Sequence, residues 1–132
     1  MGLGLKQEAF TATYFRKYIY LNKRKVMKEA TNAPMYATLY PGLCQIAREN
    51  GYTLAIHGSL QQDLDLIAVP WTDDYCHYVT LAELFLEHLQ ACLGESFDDC
   101  NPERKLHGRI AYNLYMDNGA KVDLSIMMPV LE

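Results

Sequence analysis

Three aspartates stand where strand alternation can bring carboxylates onto one surface. Asp63 and Asp65 open the run Asp63-Leu64-Asp65-Leu66, and Asp123 interrupts Val122-Asp123-Leu124. Residues two apart on a strand share a face, so Asp63 and Asp65 point the same way while Leu64 and Leu66 enter a core. Asp123 alternates away from its apolar neighbours in the same manner. Carboxylates held side by side repel unless a cation lies between them. Hard oxygen donors of this kind suit Mg²⁺ (or Mn²⁺), which keeps several waters and bridges to substrate phosphates. Three such acids from two strands can hold two ions about 4 Å apart, a geometry that serves phosphoryl or nucleotidyl transfer. The plain alternative is a set of solvated carboxylates at strand ends.

Other side chains near this constellation carry weaker signals. Arg109 and Lys121 flank a hairpin and share the Asp123 face if the alternation holds, so either can contact phosphate; surface ion pairing is the alternative. His57 and His107 sit beside the site in sequence, where a histidine can shuttle a proton or serve as a hydrogen-bonded structural group. Trp71 can stack on a base, or anchor a core or loop. His88 and Cys92 lie four apart with Cys76-His77 before them, a superficial zinc pattern without the paired short spacings zinc sites use.

The elements that must position these residues follow from periodicity. Tyr36, Leu39, Tyr40, Leu43, Ile46 and Ala47 recur at helical spacing, with Asn50-Gly51 as a stop and Pro41 as a kink or start. Residues 53–57 read as a strand. Residues 64–69 form a second, an almost unbroken apolar run of the kind buried on both faces, ended by Pro70. Thr80-Leu81-Ala82-Glu83 is a capping box that predicts a helix to about Leu93, with Leu81, Leu84, Phe85, Leu89 and Cys92 as its core stripe. Residues 94–105 read as a loop. Residues 109–116 and 120–127 alternate around the turn Asp117-Asn118-Gly119, burying Ile110, Tyr112, Leu114, Met116, Val122, Leu124 and Ile126. This order predicts an α/β fold, a small mixed β-sheet with helices packed on it.

Composition bounds the rest. The 132 residues are half apolar and 21% charged, enough for one core and too apolar for disorder. No apolar run approaches the roughly 18 residues of a membrane span, and the amino end lacks a signal-peptide stretch, so a cytoplasmic chain without membrane contact is expected. Cys44, Cys76, Cys92 and Cys100 include no Cys-x-x-Cys pair and read as buried free thiols. The net charge of −4 is uneven: residues 1–30 hold seven of the twelve Lys and Arg against Glu8 and Glu29. That stretch, with Tyr14, Phe15, Tyr18 and Tyr20, reads as a basic and aromatic arm spanning residues 1–33 ahead of a domain at 34–132. It can grip nucleic acid, or lie as an amphipathic helix on the acidic body.

Gly58-Ser59 followed by Asp63-Leu64-Asp65-Leu66, with Asp123 on a later strand, resembles the nucleotidyltransferase superfamily that includes DNA polymerase beta. More closely, Ala55-Ile56-His57-Gly58-Ser59, the run from Asp63 to Trp71 and His107-Gly108-Arg109 resemble small uncharacterised proteins encoded by bacteriophages. The resemblance covers about residues 35–128 and implies a nucleotidyltransferase-like sheet in a host cytoplasm. It further implies that Gly58 and Ser59 hold a nucleoside triphosphate and that Asp63 and Asp65 bind two divalent ions. Asp123 would complete that metal site and help deprotonate an attacking hydroxyl. One departure stands out. The family places a longer insert, with a helix start, between Gly-Ser and the first Asp. Here only Leu60, Gln61 and Gln62 intervene, too few for a helical turn, which predicts a tight hairpin without a phosphate-facing helix N-terminus. The expected activity is Mg²⁺-dependent nucleotidyl transfer to an acceptor hydroxyl. The competing reading is a non-catalytic module that binds nucleotide or a partner.

Overall fold

The structure is a computed structural model that describes residues 31–98, 102–116 and 119–129. Residues 1–30 of the basic arm, Cys100 and the Asp117-Asn118 pair of the expected turn lie outside the described residues. Two helices, α1 (Ala33–Glu49) and α2 (Tyr78–Leu93), pack on a mixed sheet. Its strands are β1 (Tyr52–His57), β2 (Asp63–Pro70), β3 (Ser96–Asp98), β4 (Glu103–Arg104), β5 (Arg109–Met116) and β6 (Lys121–Met127). The order across the sheet is β1-β2-β6-β5-β3, with β4 beside β3 on the same edge of β5. Among the described strands only β2 and β6 pair in parallel. Parallel neighbours need a crossover, and α2 with the β3–β5 segment supplies it.

One face of the sheet meets the helices. Leu64, Leu66, Val122, Leu124, Ile126 and Leu114 are buried there against Tyr36, Leu43, Leu81, Phe85 and Leu89. The alternation expected for β5 holds residue by residue, and that of β6 holds except at Ser125, which is buried as well. The expectation that β2 is buried on both faces does not hold. Its alternate positions Asp63, Asp65 and Ile67 are half-buried and Val69 is 38% exposed, because both described helices lie on one side. An apolar run made of Leu, Ile, Ala and Val hides this asymmetry, since Ile67 and Val69 would suit either environment.

Other boundaries shift for local reasons. Helix α1 runs through Pro41, which sits exposed on the outer side, where the carbonyl it cannot bond faces water. Helix α2 starts two residues before the Thr80 capping box. His77 adopts extended backbone angles and its Nδ1 accepts the Val79 N–H at 3.2 Å, so the cap is made there. Ala82 joins Leu81, Phe85 and Leu89 in the core, Leu84 is half-buried, and Cys92 is exposed. Cys44 and Cys76 are only partly buried, and burial pushes the Cys76 thiol up. The loop expected over 94–105 contains the short strands β3 and β4, too brief to register as alternation.

The edge strand β1 is partly covered. Tyr40 on α1 donates its hydroxyl to the Leu54 carbonyl at 2.9 Å, which occupies an acceptor that would otherwise invite another strand. No helix of the described residues is long and apolar enough to cross a membrane.

One-sided burial has a measurable consequence. Leu124→Ala is expected to cost about 2–5 kcal/mol in urea unfolding, the range for a leucine truncated in a close-packed core. Val69→Thr should stay within about 0.5 kcal/mol of the parent, as ordinary surface substitutions do. Equal losses at the two positions would contradict the one-sided core.

Candidate functional site

The register of the strands fixes where the site residues fall. His57 pairs with Asp65 across β1 and β2, Asp65 with Asp123 across β2 and β6, and Asp123 with Asn113 across β6 and β5. Residues opposite each other share a face, so these four form one row on the side of the sheet away from α1 and α2. The next row towards the start of β2 holds Asp63, Lys121 and Tyr115. All three aspartates therefore lie on one face, as alternation requires.

They do not form a three-carboxylate cage. Among the described residues no three His, Cys, Asp or Glu side chains stand close enough to hold a metal ion together. Asp63 is drawn aside by Lys121, whose Nζ lies 3.5 Å from Asp63 Oδ2. Burial pulls the Lys121 ammonium down, but the Asp63 carboxylate and then Asp123 outweigh it, so Lys121 is held above its ordinary value. Asp65 is pushed above the usual carboxylate range, first by burial and then by the charge on Asp123, with His57 opposing. What remains for a cation is the adjacent pair Asp65 and Asp123. Two hard, mutually repelling carboxylates fit Mg²⁺, which is commonly held by one or two carboxylates plus waters and phosphates.

The hairpin joining β1 to β2, residues 58–62, is the tight turn that the short spacing predicts. Gly58 is left-handed, with φ +79°, and lies against the acid: a Cβ there would stand 2.6 Å from Asp65 Oδ2. Leu60 is also left-handed, with φ 64°, an uncommon state for a branched side chain. Ser59 Oγ accepts the Gln61 N–H at 3.4 Å, a use that leaves its own proton free to donate.

The start of α1 anchors this loop. Asn32 N–H donates to the Gln61 carbonyl at 3.2 Å, and the Tyr36 hydroxyl donates to the Gln62 carbonyl at 2.6 Å. The same hydroxyl accepts the Lys121 backbone N–H at 3.1 Å. One buried oxygen thus ties the hairpin to the first residue of β6, the strand that carries Asp123. Burial, followed at a distance by Asp63 and Asp65, holds the Tyr36 phenol protonated above its ordinary range. Periodicity marks Tyr36 only as a core residue of a helix. A polar tip on a buried aromatic was the available hint, because such a hydroxyl needs a partner.

Two other expected residues lie elsewhere. Arg109 shares the outer face but pairs with Met127, four positions along β5 from Asn113, or about 13 Å at roughly 3.3 Å per residue. Its guanidinium donates to Ser125 Oγ at 3.3 Å. His107 is exposed and left-handed before Gly108, which packs against the Met128 carbonyl beyond the far end of β6. Of the two histidines only His57 adjoins the acids. Of the two cations only Lys121 does. His88 contacts Cys92 at 3.6 Å and covers Gly42 on α1. Compared with known proteins, the chain matches no protein-family profile and no curated sequence.

Tyr36→Phe removes only the hydroxyl and leaves the Lys121 N–H and the Gln62 carbonyl without their partner. A loss of about 1–3 kcal/mol is expected, with faster amide exchange at Lys121 and in residues 60–63. Unchanged exchange there would deny the anchoring role. A second outcome concerns pH. Because the folded pKa of Asp65 is raised, the folded state binds the extra proton between the ordinary and the raised value. Stability contributed by this group is therefore greatest at low pH and falls as pH rises through that window. Asp65→Asn should flatten this dependence and stabilise the metal-free fold at neutral pH by up to about 1 kcal/mol, the scale of partly exposed charge pairs. Added Mg²⁺ should raise the melting temperature of the parent and not of the variant.

Proposed function

We propose that this chain binds a nucleoside triphosphate with Mg²⁺ on the outer sheet face and transfers its nucleotidyl group to an acceptor hydroxyl, breaking the α–β phosphoanhydride bond and releasing pyrophosphate. The observation that carries the reading is the register pairing of Asp65 with Asp123, beside the Gly58-Ser59 turn and one row from Lys121. Asp65 and Asp123 supply the hard oxygens. Gly58, lacking a side chain, lets the turn approach the Asp65 carboxylate, and Ser59 is free to donate to a phosphate oxygen. Lys121 neutralises Asp63 and can shift its charge towards a phosphate that enters beside it. Asp123 is placed to take the proton of the acceptor hydroxyl, while His57 lies on the other side of Asp65. When bound, Mg²⁺ would supply neutralisation of the charge that develops on the attacking and leaving oxygens.

A non-catalytic nucleotide-binding module is the second reading. The hairpin of residues 58–62 favours it, because it replaces a helix N-terminus with a turn and so withholds aligned N–H donors from the phosphates. The diversion of Asp63 to Lys121 points the same way.

Incubation with α-labelled nucleoside triphosphates, Mg²⁺ or Mn²⁺, and protein, nucleic-acid or small hydroxyl acceptors separates the two. Transfer of label that falls at least about 100-fold in Asp65→Asn and Asp123→Asn supports the enzyme, the scale expected when a charge-stabilising group is lost. Nucleotide affinity that depends on the two acids, with no transfer to any acceptor, supports the module. Activity that survives the double substitution would remove the assigned role.

A further inference from the structure

A concave surface lies at the opposite end of β2 from the aspartates. A cleft of about 460 Å³ is lined by Cys44, Arg48, Tyr52, Thr53, Leu54 and Trp71. Six positions separate Asp65 from Trp71, about 20 Å at roughly 3.3 Å per residue, so the acids take no part in it. Trp71 is the only tryptophan of the chain and is 62% exposed. It is a core residue in no sense, yet it is held firmly. Pro70 precedes it, and its N–H donates to the Gly51 carbonyl at 3.1 Å. Gly51 in turn is left-handed, with φ +87°, and packs so closely on Asp74 and Tyr75 that a Cβ would lie 2.4 Å from the Asp74 carbonyl oxygen. A rigid backbone therefore presents a large aromatic face to solvent.

Arg48 provides the charge. It stands in the last turn of α1, where the helix dipole favours a cation, and makes no ion pair with the described residues. Glu49 beside it is engaged by the Gln45 amide at 3.0 Å. Among the residues that line the cleft Arg48 carries the one formal charge, and no acidic side chain lines it. Thr53 adds an exposed hydroxyl, whereas the Tyr52 hydroxyl is committed to the Cys76 carbonyl at 2.6 Å.

An aromatic face, a fork of guanidinium donors and a hydroxyl match a planar aromatic ligand bearing an anion. A peptide strand adding to β1 fits less well, because the outward Leu54 carbonyl already accepts from Tyr40. We infer that this cleft binds a nucleotide unit, its base stacked on Trp71 and its phosphate paired with Arg48. Base stacking and Arg–phosphate pairing are the two contacts that sequence-tolerant nucleotide sites rely on. The unit can come from a free mononucleotide or from a single strand, and the cleft reads the chemistry common to both. The inference stands apart from the reaction proposed above, since neither the aspartates nor a metal is involved.

The sole tryptophan makes the test direct. Its fluorescence, excited at the red edge of the indole band, is followed in EDTA while AMP, adenosine or a short oligothymidylate is added to the full chain. Quenching by AMP with saturation, at least tenfold weaker in Arg48→Ala and partly restored in Arg48→Lys, is the expected result. Stronger binding of the oligonucleotide than of AMP would identify a strand as the source, and the reverse a free nucleotide. Arg48 is exposed, so a circular dichroism spectrum identical to the parent's is expected for the variants. Absence of quenching by either nucleotide at millimolar concentration overturns the inference. So does adenosine binding as tightly as AMP, or affinity unchanged in Arg48→Ala.

Discussion

The parallel pairing of β2 with β6 is the constraint on which the site depends. Its register places Asp65 beside Asp123, and it is set on the other face of the same strands, where Leu64 and Leu66 lie beside Val122 and Leu124 in the core. A slip of β2 by one residue would carry Leu64 and Leu66 out of the core and Asp63 and Asp65 into it. Burial of each such side chain is worth about 1.5–3 kcal/mol, whereas a partly exposed charge pair is worth about 1 kcal/mol or less. The apolar face therefore wins, and the acids are held together against their repulsion. That stored repulsion is what a divalent cation would relieve.

Helix α1 acts on this sheet through polar tips as well as apolar bulk. Tyr36 and Tyr40 lie one turn apart and both bury their rings against the core, but their hydroxyls serve different ends. The Tyr36 hydroxyl joins the hairpin before β2 to the start of β6, whereas the Tyr40 hydroxyl covers the free edge of β1. Further along the same helix, Arg48 borders the cleft beside Trp71. One helix thus holds the loop next to the acids at its beginning and frames a separate concavity at its end.

The sheet divides its labour by face. The side towards the helices carries the core, and the side away from them carries His57, Asp63, Asp65, Lys121, Asp123, Asn113 and Arg109. Position along the strands then decides which of these meet. Lys121 falls beside Asp63 and takes it out of a three-acid cluster, while Arg109, on the same face but four positions along β5 from Asn113, donates to Ser125 instead.

Strand alternation is a local property, and the residues of β5 and β6 that enter the core were legible from it, as were the shared direction of Asp63 and Asp65 and the hairpin that three intervening residues enforce. These follow from the two-residue period of a strand and the reach of a short chain. One-sided burial of β2 was not legible, because Ile67 and Val69 suit either a covered or an uncovered face and only the placement of the helices chooses. The cap at His77, the short strands within 94–105 and the distance from Arg109 to the acids depend on contacts between segments far apart in the chain. So does the Tyr36 bridge, which spans 85 positions to reach Lys121. Local chemistry determined which groups face outward; which of them become neighbours was decided by register and packing, where apolar burial outweighs the preferences of the charges.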